Sequence, residues 1–101
     1  MQKDVYKYTF DPAVSLEDVE ASLLLAIVSV ESLHGEAQVR LDVQHLLDFE
    51  RRACVIDATT DAGKDLNRVF MGFLNREFGK KTFHVKRMDA AAAGELAGAV
   101  T

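Results

Sequence analysis

The chain has 101 residues, of which 49% are hydrophobic and 28% charged, and a formal net charge of −4. That length suits one domain with one modest core, and the composition excludes a wholly disordered chain. The acidic surplus argues against nucleic-acid binding, which draws on an excess of Lys and Arg along the phosphate backbone.

Cys54 is the single cysteine, so the chain can form no intramolecular disulfide and no cysteine-based metal site, which fits a reducing compartment. Met1-Gln2-Lys3-Asp4 opens without an apolar leader. The longest nearly apolar run, Ala21 to Val30, is broken by Ser22 and Ser29 and is too short to span a bilayer. A cytoplasmic protein without a membrane segment is expected.

Val5 to Phe10 alternates, with Tyr6, Tyr8 and Phe10 on one side and Val5, Lys7 and Thr9 on the other, as a strand does. Pro12 ends it. Ser15 has the character of a helix N-cap, with Asp18 three residues on, and Val14 and Val19 fall at the positions of a hydrophobic staple. The spacing predicts a helix from about Leu16 to Leu33, closed by Gly35. Its core stripe is Leu16, Val19, Leu23, Ala26, Ile27, Val30 and Leu33.

Ala21, Leu24, Leu25 and Val28 form a second apolar patch on another side of this helix. A helix lying on one sheet needs one apolar face, so this patch needs a cover. The second helix, a loop or the tail could supply it; a second subunit could as well.

Ala37, Val39, Leu41 and Val43 alternate with Gln38, Arg40 and Asp42, which predicts a half-buried strand. Gln44 to Phe49 then reads as an unusually apolar connection. Arg51 to Ala58, continuously apolar from Ala53 to Ile56, predicts a central strand. Thr59, Thr60 or Asp61 caps a second helix, with Leu66, Val69, Phe70, Phe73 and Leu74 inward, Phe78 near its end and Gly79 as its stop. Gly72, in mid-helix, suggests close approach of another backbone. Thr82 to Met88 alternates as a last strand, Phe83 and Val85 inward, His84 and Lys86 outward. Residues 89–101, rich in alanine, are expected to be a flexible tail on a domain of residues 1–88.

The order strand, helix, strand, strand, helix, strand predicts an α+β, ferredoxin-like βαββαβ sandwich, a four-stranded sheet with both helices on one face. Its open face would carry Lys7, Arg40, His84 and Lys86, with one or both of Arg51 and Arg52. Aromatic stacking residues and an RNA-binding strand motif are missing from the third strand, so single-stranded RNA is a poor fit.

The turn Asp57-Ala58-Thr59-Thr60-Asp61-Ala62-Gly63-Lys64 is a second candidate. It joins a strand to a helix start, where backbone N–H groups and the helix dipole favour an anion. Ala58 stands where a phosphate-binding P-loop needs its first glycine, and Asp65 where it needs Ser or Thr, so this is no P-loop. Simple capping accounts for the same residues. His34, His45 and His84 lie in different elements without metal-ligand spacing, and a nucleophilic pair of Cys54 and His84 is opposed by an apolar strand that would raise the thiol pKa.

No catalytic residue, metal ligand or cofactor is expected. The expected function is a small non-catalytic oligomerising or partner-binding module, a homodimer through Ala21, Leu24, Leu25 and Val28. The alternative is an anion- or small-molecule-binding domain, enzymatic or not, using Asp57, Thr59, Thr60, Asp61 and Lys64, or the sheet face with Arg40 and His84.

Overall fold

The computed structural model describes residues 4–88; the expected tail, residues 89–101, lies outside them. Strand β1 (Val5–Phe10) leads into helix α1 (Leu16–His34) and a short helix α2 (Glu36–Asp42). Strands β2 (Gln44–Asp48) and β3 (Ala53–Asp57) follow, then helix α3 (Asp61–Glu77) and strand β4 (Phe83–Met88). The class is α+β, with a four-stranded sheet in the order β2-β3-β1-β4. Every neighbouring pair is antiparallel.

Helix α1 begins as its local sequence dictates. Ser15 Oγ accepts from the Asp18 N–H at 3.3 Å, Val14 and Val19 are both buried, and Gly35 ends the helix at φ 88°. Leu16, Val19, Leu23, Ala26 and Val30 are buried, with Ile27 partly so. One stripe position differs from expectation, Leu33 being 72% exposed, and Ser22, outside the expected stripe, is buried, its hydroxyl 3.4 Å from Glu77 Oε2 of α3.

The segment expected as the second strand is helix α2, and the segment expected as a loop is strand β2. The reason lies in the spacing. Val39 and Val43 are buried, and a separation of four fits both a strand and a helix. Pairs at that same spacing favour the helix: Arg40 binds Glu36 at 2.5 Å and Gln38 binds Asp42 at 2.5 Å, as i,i+4 neighbours do on a helix surface. Leu41, inward in a strand, is 80% exposed. This third helix is also the departure from a simple βαββαβ order.

In β2, Leu47 lies opposite Cys54 and Leu46 opposite Val55. The β2–β3 turn holds Arg51 and Arg52, which were expected to begin a strand. Arg52 sits at φ 51°, and its guanidinium donates to the Asp11 carbonyl at 2.8 Å and to the Val14 carbonyl, clasping the β1–α1 connection just ahead of the Ser15 cap.

Tyr8, Phe10, Cys54, Ile56 and Phe83 pack with Val19, Leu23, Ala26 and Val30 of α1 and Leu66, Phe70 and Leu74 of α3 in one core. Tyr8 meets Phe70 edge-on, ring centres 5.0 Å apart, a favoured aromatic geometry. Residues directly opposite across a sheet share a face. Lys7, Thr9, Val55, His84 and Lys86 therefore share the face opposite Tyr8 and Phe10, together with Val5 and Ala53, which are buried there.

Thr60 caps α3, accepting from the Gly63 N–H at 3.0 Å, and Gly79 follows its end at φ 85°. The glycine that admits another backbone is Gly63, not Gly72. A Cβ on Gly63 would stand 2.3 Å from the Asp57 carbonyl oxygen, whereas one on Gly72 would meet nothing within 4 Å.

Candidate functional site

Positions 21, 24, 25 and 28 recur at helical spacing on the side of α1 turned away from its buried stripe. Leu24, Leu25 and Val28 are 57%, 57% and 56% exposed, and Ala21 beside them is exposed as well. Of the expected covers, α3 packs against α1 but leaves Leu24, Leu25 and Val28 exposed, the segment 44–48 is a strand of the sheet, and the tail lies outside the described residues. At the edge of this patch a cleft of about 350 Å³ runs between α1 and α3, lined by Ala21, Ser22, Leu25, Phe73, Arg76 and Glu77. Leu25 belongs to both the patch and the cleft. The result is an apolar ridge with a groove along one flank, the relief that a packing helix requires.

The strand-to-helix turn brings Asp57, Thr59, Thr60, Asp61 and Lys64 together, and its bonds hold the fold. Asp57 Oδ1 accepts from the Thr59 N–H at 2.9 Å. Thr59 Oγ1 accepts from the Asp4 N–H at 3.0 Å. Thr60 Oγ1, besides capping α3, donates to the Asp42 carbonyl at 2.9 Å, so the same hydroxyl fastens α2. Arg40 does not join this group or the sheet face; it stands on α2, paired with Glu36. His84 is on β4 opposite Thr9.

On the open face Lys7 and Lys86 lie directly opposite each other, an unfavourable like-charge pairing. Arg51 is held near Asp48. Cys54 and His84 are on non-adjacent strands, with β1 between them, and point to opposite sides of the sheet. Burial pushes the Cys54 thiol up to about 12. His34, at the end of α1, binds Asp65 of α3 at 2.7 Å, joining the two long helices. His45 is on β2 opposite Ile56 and not in a loop.

Lys64 lines a further cleft, of about 200 Å³, with Asp4, Tyr6, Ala58, Asn67 and Arg68. Asn67 escaped the sequence reading. Its signal was present: a polar residue between Leu66 and Phe70, on the stripe that α3 buries, is 8% exposed. Among the described residues no group of three or more His, Cys, Asp or Glu could hold a metal ion, and no helix is long and apolar enough to cross a membrane. No family model, curated protein or solved structure matches this chain.

Proposed function

We propose that the chain is a self-associating module in which α1 of one copy packs antiparallel on α1 of a second about a two-fold axis. The observation that carries this reading is the contiguous exposure of Leu24, Leu25 and Val28. The spacing favours a second copy of the same chain. Glu17, Ala21, Leu24, Leu25, Val28 and Ser32 share one helical face, centred between Leu24 and Leu25. An antiparallel pair therefore sets Ala21 against Val28 and Glu17 against Ser32, whereas a parallel pair would set Glu17 against Glu17. Antiparallel packing also opposes the two helix dipoles.

A stable interface buries about 800 Å² per partner, more than one helix face about 22 Å long provides. The contact therefore extends over the groove beside α1, where Phe73 and Arg76 receive the partner's leucines. Pairing through the open sheet faces would bury the Lys7–Lys86 pair, which is costly without acids to meet it. The same proposal takes the domain as a ferredoxin-like sandwich with α2 as an addition; the order β2-β3-β1-β4 supports this.

Light scattering at high micromolar concentration tests the proposal. The dimer mass is expected for the wild type, and the monomer mass for Leu25→Glu with Val28→Glu. A monomeric wild type would refute self-association. A dimer that survives the double substitution would move the interface away from α1.

A further inference from the structure

We propose that the free edge of β4 takes on an extended acidic peptide of a partner protein as a fifth strand of the sheet. In the order β2-β3-β1-β4 the last strand pairs on one side only. The Asp11 N–H donates to the Thr82 carbonyl at 2.9 Å, in step with the Phe10–Phe83 pairing of β1 and β4. Residues that bond the neighbouring strand alternate along an antiparallel pair. Thr82, His84, Lys86 and Met88 therefore turn their backbone groups to β1, and Phe83, Val85 and Arg87 turn theirs to the edge. Among the described residues no backbone group bonds that edge, and such a row of donors and acceptors is a template for a further strand. Val85 adds an apolar anchor. It lies on the Tyr8 side of the sheet yet is 36% exposed, where a side chain of an added strand would cover it.

Charge selects the occupant. Four of the chain's 12 Lys and Arg fall in residues 80–87, where no Asp or Glu stands, although the whole chain carries −4. Lys80, Lys81, Lys86 and Arg87 are all exposed, as is His84. Arg87 is held by Asp4; among the described residues no acid pairs with Lys80, Lys81 or Lys86. Lys7 stands opposite Lys86 on β1 and deepens the positive strip. A second copy of the chain is the wrong occupant. Two β4 edges paired together would crowd the cations of both copies, the device by which edge lysines keep copies apart. An acidic strand meets the same charges as attraction. The alternation of side chains sets its pattern: acids opposite His84 and Lys86 on the open face, and between them an apolar residue opposite Val85.

The test is NMR titration of the full chain with the capped pentapeptide acetyl-Glu-Val-Glu-Val-Glu-amide, alongside acetyl-Lys-Val-Lys-Val-Lys-amide and an oligothymidylate. Saturable shifts at the Phe83, Val85 and Arg87 amides, with slowed hydrogen exchange there, are expected from the acidic peptide alone. Lys86→Glu also relieves the like-charge contact with Lys7, so the fold is kept; it should weaken the acidic peptide about tenfold, an attractive cross-strand contact turned repulsive. Val85→Pro removes one donor from an edge strand, where proline is tolerated, and should abolish binding while the His84 and Lys86 amides stay protected by β1. Shifts without protection of the edge amides, equal binding of the lysine peptide or tighter binding of the oligothymidylate would overturn the proposal. So would undiminished binding by Lys86→Glu or by a folded Val85→Pro.

Discussion

The Tyr8 hydroxyl donates to Asn67 Oδ1 at 2.5 Å, joining the central strand β1 to the buried side of α3 across 59 residues of sequence. Tyr8 is fully buried, and a phenol in that position needs a partner. Tyr8→Phe keeps the ring and its contact with Phe70 but leaves Asn67 Oδ1 unpaired. A loss of about 1–3 kcal/mol is expected from an orphaned buried acceptor, read as a lower urea midpoint at unchanged slope. An unchanged midpoint would show that the bond contributes nothing net. A changed slope would point instead to a different unfolded or native compactness.

The two glycines of α3 should respond in opposite directions. Gly63→Ala drives a methyl onto the Asp57 carbonyl, 2.3 Å from the added Cβ, where backbone must give way. Destabilisation of about 1–3 kcal/mol is expected from overpacking. Gly72→Ala meets open space and gains helix propensity, a stabilisation of up to about 1 kcal/mol. Thermal unfolding of both variants checks the pair. Equal signs would mean that helix propensity, not the strand–helix contact, governs both positions.

What the sequence made legible was local. Ser15, Gly35 and Gly79 act within a turn of where they stand, so the limits of α1 and the end of α3 could be read from them directly. The alternation in β1 was legible because Tyr8 and Phe10 are buried against the helices; in β4 only Phe83 is buried, and Val85, expected inward, is 36% exposed. Residues 36–48 were misread because Val39 and Val43 obey both periods. The Glu36–Arg40 and Gln38–Asp42 pairs, spaced four apart as helix neighbours are, were a helix signal in the sequence that the alternation of apolar residues overrode. Shifting the strand to residues 44–48 turned the supposed loop leucines into sheet residues. The turn from Asp57 to Lys64 was legible as a helix start for the same local reason. The cleft beside it was not, because Asp4 and Tyr6 meet Lys64, Asn67 and Arg68 only after the sheet has formed. The apolar patch of α1 could be read from spacing alone, since one helix has room for one core stripe.

The protein should lose stability in alkali, with Cys54 acting from pH 9 and Tyr8 adding to the loss above pH 10. Burial raises the Cys54 thiol from an ordinary value of 9.0 to about 12, and burial likewise raises Tyr8, with Cys54 and Tyr6 adding to the effect. The sign follows from proton counting. Above pH 9 the unfolded chain has released the cysteine proton while the folded chain keeps it, so the folded state binds more protons and stability falls as pH rises. The contribution is fully present below pH 9 and is lost progressively up to about pH 12, where the folded thiol ionises too. Within that window one retained proton is worth about 1.4 kcal/mol per pH unit. Cys54→Ala removes the group from both states. Its urea-derived stability should be lower than wild type at pH 7, from the lost packing, and should decline less steeply between pH 9 and 11. Parallel declines for the two proteins would show that Cys54 does not hold its proton in the folded state. The same burial predicts that a thiol reagent labels Cys54 only as fast as the chain opens, because the thiolate is the reactive form. Labelling at the rate of a free thiol at pH 8 would contradict the buried position on β3.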